Sequence, residues 1–275
     1  MEIVVGNILA DLLFFVGIVW LVGFLIFLLN RLFYKLFNYN RGVCYATGLI
    51  GTPIHELSHA LGCLVFGHKI REMKLFTIDR ATGTLGYVNH SYNKKNLYQV
   101  AGNYFIGTAP IFMGTLFLWG MLFLLLPDSA SEVERYLSDL SATLSGGAST
   151  EWGIAFLEAF FGMLGIAFAS LGEGWGGVIF FLVALCVAIH MNLSQEDIRN
   201  SLGALPILLL LSIVFHALLS LISWDLYETA VEGIHLVGSY LTGILLLSLV
   251  LSVIAVLIAL LIRGIIELFK KNFGK

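Results

Sequence analysis

Charged side chains are scarce in this chain. They make up 12% of its 275 residues, about half the share of a soluble domain. The net charge is only −3, and no basic cluster with interleaved aromatics appears, which argues against a nucleic-acid partner. Cysteine is scarce too. Cys44, Cys63 and Cys186 are the three present; all lie in or beside apolar segments and none forms a CxxC pair. That pattern excludes a disulfide frame, and they read as small membrane-helix residues rather than as a thiolate zinc site. No basic stretch precedes the first apolar run, which is also too long for a signal-peptide core, so no cleavable signal peptide is expected. Internal repeats and low-complexity linkers are lacking as well, and the whole of 1–275 reads as a single membrane domain.

What the chain has in quantity is apolar length. It is 59% hydrophobic with a mean hydropathy of +0.92, and several runs approach or exceed the twenty residues that cross a bilayer as a helix. The expected fold is an all-α polytopic membrane protein of about six transmembrane helices, with a small β-hairpin between the second and third. The spans are expected at about Val4 to Leu29, Val43 to Phe66, Val100 to Leu126, Trp175 to His190, Leu202 to Ile222 and Val237 to Ile262. The last two form a C-terminal pair over 203–262. Segment 67–96 alternates imperfectly around the turn-like cluster Asp79 to Thr84, hence the hairpin. Segment 128–151 is polar and acidic and reads as a solvent loop with one short helix at most. Segment 152–171 is apolar but broken by Glu158 and Gly162, compatible with spanning, re-entering or lying in the interface. Trp224 to Glu232 reads as a short acidic loop.

Basic loops prefer the cytoplasm. Segment 67–98 carries six basic residues (Lys69, Arg71, Lys74, Arg80, Lys94 and Lys95), and the tail carries Arg263, Lys270, Lys271 and Lys275. Six crossings with both termini inside satisfy this, provided 152–171 does not cross. The 31–41 connection, with Arg31, Lys35 and Arg41 on the outer side, is the one violation.

Within the second span lies Thr52-Pro53-Ile54-His55-Glu56-Leu57-Ser58-His59-Ala60, an HExxH motif. On a helix, residues four apart share a face, so both imidazoles can reach one zinc ion at about 2.0–2.1 Å. Glu56 is placed to take a proton from an activated water. Chance produces this pattern in on the order of one per cent of such sequences, and ionisable residues within a span are costly and usually functional.

Catalytic zinc takes a third protein ligand and keeps one position open. Asp197 is the first choice, since it sits in a polar interruption after the fourth span. Its competing role is helix capping with Ser194. Glu196 and His190 are the alternatives. His216 reads as a hydrogen-bonded bundle histidine, as do His68, His90 and His235 in or near loops. Asp11 and Glu158 read as polar contacts between helices.

Over residues 44–200 the chain resembles the site-2 protease family of intramembrane zinc metalloproteases. The resemblance is carried by His55-Glu56-Leu57-Ser58-His59 on a second membrane helix, the β-like stretch after it, the Gly/Pro-marked third helix (Gly102 to Pro110) and an aspartate beyond the fourth. It implies one zinc per chain on His55, His59 and Asp197, catalysis by Glu56, and a transmembrane or membrane-associated protein substrate. It also implies residence in a prokaryotic cytoplasmic membrane. The sequence departs from the family in the context of its aspartate, Leu193-Ser194-Gln195-Glu196-Asp197-Ile198, and has no segment suited to a PDZ domain. Two other functions fit the motif: a membrane zinc peptidase acting on soluble or lipidated substrates at the cytoplasmic face, and a non-catalytic metal-binding membrane protein.

Overall fold

The apolar runs fold as helices, separated by short polar turns. The computed structural model describes residues 2–145 and 150–273. Helix α1 (Glu2–Leu12) passes through a π-helical turn (Leu13–Gly17) into α2 (Ile18–Leu36). There follow α3 (Arg41–Val65), strands β1 (Lys69–Lys74) and β2 (Tyr87–Ser91), α4 (Leu97–Leu125) and α5 (Pro127–Ser145). Then come α6 (Trp152–Ala169), α7 (Trp175–Ile189), α8 (Gln195–Ile222) and α9 (Trp224–Phe273). The all-α polytopic expectation holds. Among the described residues, five helical stretches are long and apolar enough to cross a bilayer: 3–36, 97–125, 152–172, 195–222 and 224–269.

Polar caps decide where the helices near the site begin. Asn40 accepts from the backbone of Gly42 and Val43 at the start of α3, and Asn96 from Tyr98 and Gln99 at the start of α4. Ser194 opens α8 with a capping box. Each satisfies amide groups that a helix start leaves unpaired. The hairpin is antiparallel, with Ile70 opposite His90 and a bulge between Ile70 and Glu72. Its turn is held by the Asp79 carboxylate, which accepts from the amide of Ala81 and the hydroxyl of Thr82.

Four expectations are corrected. The expected loop 128–151 is helical over Pro127–Ser145, because Val133, Leu137, Leu140 and Leu144 recur at helical spacing and bury against the core. Its charged outer face had hidden that stripe; residues 146–149 lie outside the described residues. The expected loop Trp224 to Glu232 is the first part of the 50-residue α9. Segment 152–171 is a helix of spanning length. Of the expected spans, α3 falls short by polarity and α7 by its 15 residues.

The path of the chain differs as well. α2 and α4 run in the same direction, with Gly23 facing Ile111 and the Tyr104 hydroxyl donating to the Phe15 carbonyl. That carbonyl belongs to the π-turn, so the Tyr104 hydroxyl ties α4 to the irregular stretch of the first helix. α7 runs back along α4 until Met191 packs on Gly114. The helix breaks over Met191 to Ser194, and α8 continues the same way, with Asp197 against Gly107 and Ser201 reaching the Tyr104 carbonyl. The break therefore sits beside the middle of α4 rather than at one of its ends. α7 and α8, expected as two opposed crossings, run in the same direction, and α9 then runs opposite to expectation. It travels with α1 and α2: His235 lies by Asp11, Gly238 by Phe14, and Ala255 and Val256 cluster with Phe33. Arg263 thus lies at the end of the bundle opposite the root of the hairpin, where His68 meets Gln99. Side chains of the tail beyond it, Lys270, Lys271 and Lys275, lie outside the described residues.

α9 is the buried axis, with Leu245, Val250, Leu251 and Ile254 at 0–1% exposure. α8 is peripheral, burying only Ser201, Ala204 and His216. His216 bonds Asp11 Oδ2 at 2.9 Å and the Tyr227 hydroxyl at 3.2 Å, while His235 stands 3.4 Å from Asp11 Oδ1. The readings of Asp11 as an interhelical contact and of His216 as a bundle histidine hold. Glu158 instead lines a groove with Arg135 and Asp139.

Candidate metal centre

The spacing of the motif does what helical geometry requires. α3 runs unbroken through Pro53 and brings the two imidazoles together with Nε2 of His55 and Nε2 of His59 3.1 Å apart. Each ring is fixed from behind. His55 Nδ1 lies 2.7 Å from the His190 carbonyl oxygen, and His59 Nδ1 lies 2.8 Å from the Ile106 carbonyl oxygen. A carbonyl only accepts, so both Nδ1 atoms carry the proton, and in the neutral rings both Nε2 lone pairs point at each other. That arrangement repels unless a proton or a cation lies between them. Asp197 supplies the adjacent negative charge, with Oδ1 3.5 Å from His59 Nε2. One ligand atom from each of His55, His59 and Asp197 lies within 4.8 Å of the other two.

Asp197 makes the helix cap and at the same time faces the histidines. Its Oδ2 accepts from the Ser194 amide at 2.8 Å, and its own amide donates to the Ser194 hydroxyl at 3.1 Å, forming the capping box. Its Oδ1 remains for the histidines. The box thus orients the carboxylate. Glu196 points elsewhere, pairing with Arg199 at 3.7 Å on an exposed face. The His190 ring is not in the group. Its Nε2 faces Tyr34 and Thr47, and only its backbone carbonyl serves the site.

Glu56 is 7% exposed. It lines a cavity of about 380 Å³ together with His55, His59, Asp197 and the strand segment Gly86 to His90. Its carboxylate makes no hydrogen bond among the described residues. Gly86 allows the strand to come this close, since a Cβ there would stand 2.7 Å from Glu56 Cγ and 2.8 Å from Thr52 Cγ2. Gly51 plays a similar part on the far side, where α3 presses on His190 and the Cys186 carbonyl. The glycines expected to permit close approach in α4 do so: Gly102 meets Phe66, and Gly107 meets Asp197 and Ser201.

The four side chains singled out in the sequence lie together here, whereas the two carbonyls that hold the rings could not be read from it, because backbone acceptors leave no mark in residue type. Outside the spans, burial lowers the pKa of His68 and of His90 below the ordinary imidazole range. No protein-family model, curated protein or solved structure matches the chain.

Proposed function

We propose that the protein is a zinc-dependent intramembrane endopeptidase, in keeping with the resemblance of its motif to the site-2 protease family. One observation carries the reading: two oriented imidazole nitrogens and a carboxylate oxygen converge beside Glu56, which has no hydrogen bond among the described residues, in a cavity walled by a strand. Zinc bonds of 2.0–2.1 Å at tetrahedral angles separate neighbouring ligand atoms by about 3.3 Å. The spacings here, 3.1 Å and 3.5 Å, bracket that value. The donor set of two histidines and one carboxylate, with the second nitrogen of each ring on a carbonyl, suits catalytic zinc.

Zinc held by His55, His59 and Asp197 would supply Lewis acidity, lowering the pKa of a water and polarising a peptide carbonyl. Glu56 takes the proton as the water oxygen bonds to the carbonyl carbon. It returns that proton to the amine as the C–N bond breaks. A helical substrate must first unwind to expose the bond. β2 is paired on one side only, with β1, and Gly86 to His90 face the cavity, so an extended substrate segment can be held by strand addition. The five spanning helices suit residence in a lipid bilayer, and we assign the protein to a prokaryotic cytoplasmic membrane on the strength of the resemblance.

The test is metal content and peptidase activity of the purified chain in detergent, on a membrane-spanning and a soluble peptide. Glu56→Gln should keep its zinc and lose about 10²–10⁴-fold in rate. The pair His55→Ala and His59→Ala should lose one equivalent of zinc and all turnover. Full activity in Glu56→Gln, or zinc unchanged in the double variant, overturns the proposal. Cleavage of the soluble peptide alone would move the reaction to the membrane surface.

A further inference from the structure

A second group of donor atoms lies at the root of the hairpin. α3 ends in a Schellman turn: Gly67 adopts φ +67°, the His68 amide donates to the Cys63 carbonyl at 2.8 Å, and the Gly67 amide donates to the Leu64 carbonyl at 3.3 Å. This turn folds His68 back onto Cys63, which has 0% exposure. The hairpin register then delivers His90, opposite Ile70, to the same place. The Nδ1 atoms of His68 and His90 stand 3.1 Å apart, and one ligand atom from each of Cys63, His68 and His90 lies within 4.8 Å of the other two.

His68 Nε2 lies 2.8 Å from the Gln99 carbonyl oxygen, so it carries that ring's proton. In the neutral ring, Nδ1 therefore keeps a lone pair aimed at His90. This is the arrangement that orients zinc-binding histidines, one nitrogen donating to a carbonyl and the other left for the ion.

We propose that Cys63, His68 and His90 form a second zinc site of three protein ligands, whose fourth position is left for a solvent molecule. A thiolate with two imidazoles is a donor set that favours zinc over harder ions. The ion would join the end of α3, the turn before β1, and β2. Through the bond of His68 to Gln99 it would reach α4 too. Its role would be to hold in place the strand that walls the cavity, since His90 belongs to that wall. The proposal does not depend on the peptidase reading, because none of its ligands belongs to the His55, His59 and Asp197 group.

The experiment uses the full chain in detergent, stripped of metal and reloaded with Co²⁺ or Zn²⁺. The Co²⁺ form should show a thiolate-to-cobalt charge-transfer band in the near ultraviolet, and the Zn²⁺ form should hold about two equivalents. Cys63→Ser should lose the band and one equivalent. The His55→Ala/His59→Ala double variant should also lose one equivalent but keep the band, so the two sites fail independently. If Cys63→Ser does not elute as a single folded species, His90→Gln decides, because it keeps the thiol and lies on a partly exposed strand. Loss of one equivalent there supports the site, and two retained equivalents overturn it. A folded wild-type Co²⁺ protein without the charge-transfer band also overturns it, leaving a hydrogen-bonded histidine pair beside a thiol.

Discussion

Asp197 turns its two carboxylate oxygens to different partners, and on the proposed reading one serves structure and the other chemistry. Oδ2 closes the capping box and Oδ1 faces His59. Asparagine retains a carbonyl oxygen for the Ser194 amide but has no negative charge to offer a metal. Asp197→Asn should therefore melt within a degree or two of wild type. It should also weaken zinc binding at this site by more than the roughly 10–100-fold typical of outer partners, as read by competition with a chelator. Unchanged affinity would remove Asp197 from the ligand set. Glu196→Gln is the matching control and should change neither property, since Glu196 pairs with Arg199 away from the histidines. At this scale the sequence was highly legible. HExxH spacing is local, and helical geometry alone aligns the rings. Cys63, His68 and His90 were not legible as a group, because they meet only through a turn and a strand register.

Among elements, the hairpin buries little apolar surface, with Leu85 its buried apolar side chain among the described residues, and it walls the cavity directly. Its position depends on Gly86, where an added Cβ would also stand 3.0 Å from the Leu75 carbonyl oxygen. Backbone lies on one side and Glu56 on the other, so either the strand or the carboxylate must shift. Displacement of about 1 Å at a reacting group can cost about 100-fold. Gly86→Ala should lose activity on that scale while zinc content stays whole, because Glu56 is not a ligand. Wild-type turnover in Gly86→Ala would show that Glu56 needs no such confinement. The hairpin could be read from its alternation and its Asp79 turn. Helix α5 could not: its apolar stripe is only one face wide, and its acidic face dominated the average.

Across the whole molecule, the decisive feature is the break at Met191 to Ser194. Read as a surface loop it separates two opposed crossings; beside Gly107 and Gly114 it joins two helices that run in the same direction. The charge rule then loses its asymmetry. Lys69, Arg71, Lys94 and Lys95 flank the hairpin root, where His68 meets Gln99, while Arg31, Lys35, Arg41 and Arg263 lie toward the end where Phe33 meets Ala255 and Val256. Single cysteines placed at Arg71 and at Arg263 should label from opposite sides of the membrane. Labelling from one side would restore the arrangement with both ends of the chain together. The all-α, multi-span class was legible from hydropathy, whereas the set of spanning helices was not: 152–172 is of spanning length, and α3 and α7 fall short. Direction was not legible either, because it turned on the depth of one short polar segment, which composition does not encode.

The π-turn at Leu13–Gly17 sets the rotational phase of everything before it. An extra residue in a helix turns the preceding segment by about 100° and moves it about 1.5 Å. With that offset, Asn7 and Asp11 point at Tyr227, His216 and His235, while α2 beyond the turn keeps its own face toward α4 and α9. Removing Val16 should let the helix run on regularly and swing Asp11 away from both histidines. The melting temperature should fall, yet zinc binding at His55 and His59 should persist, since Tyr34 and Asn30 lie beyond the phase shift and keep their contacts with His190 and Ala188. Zinc lost together with stability would mean that the phase of the first helix is transmitted to the site.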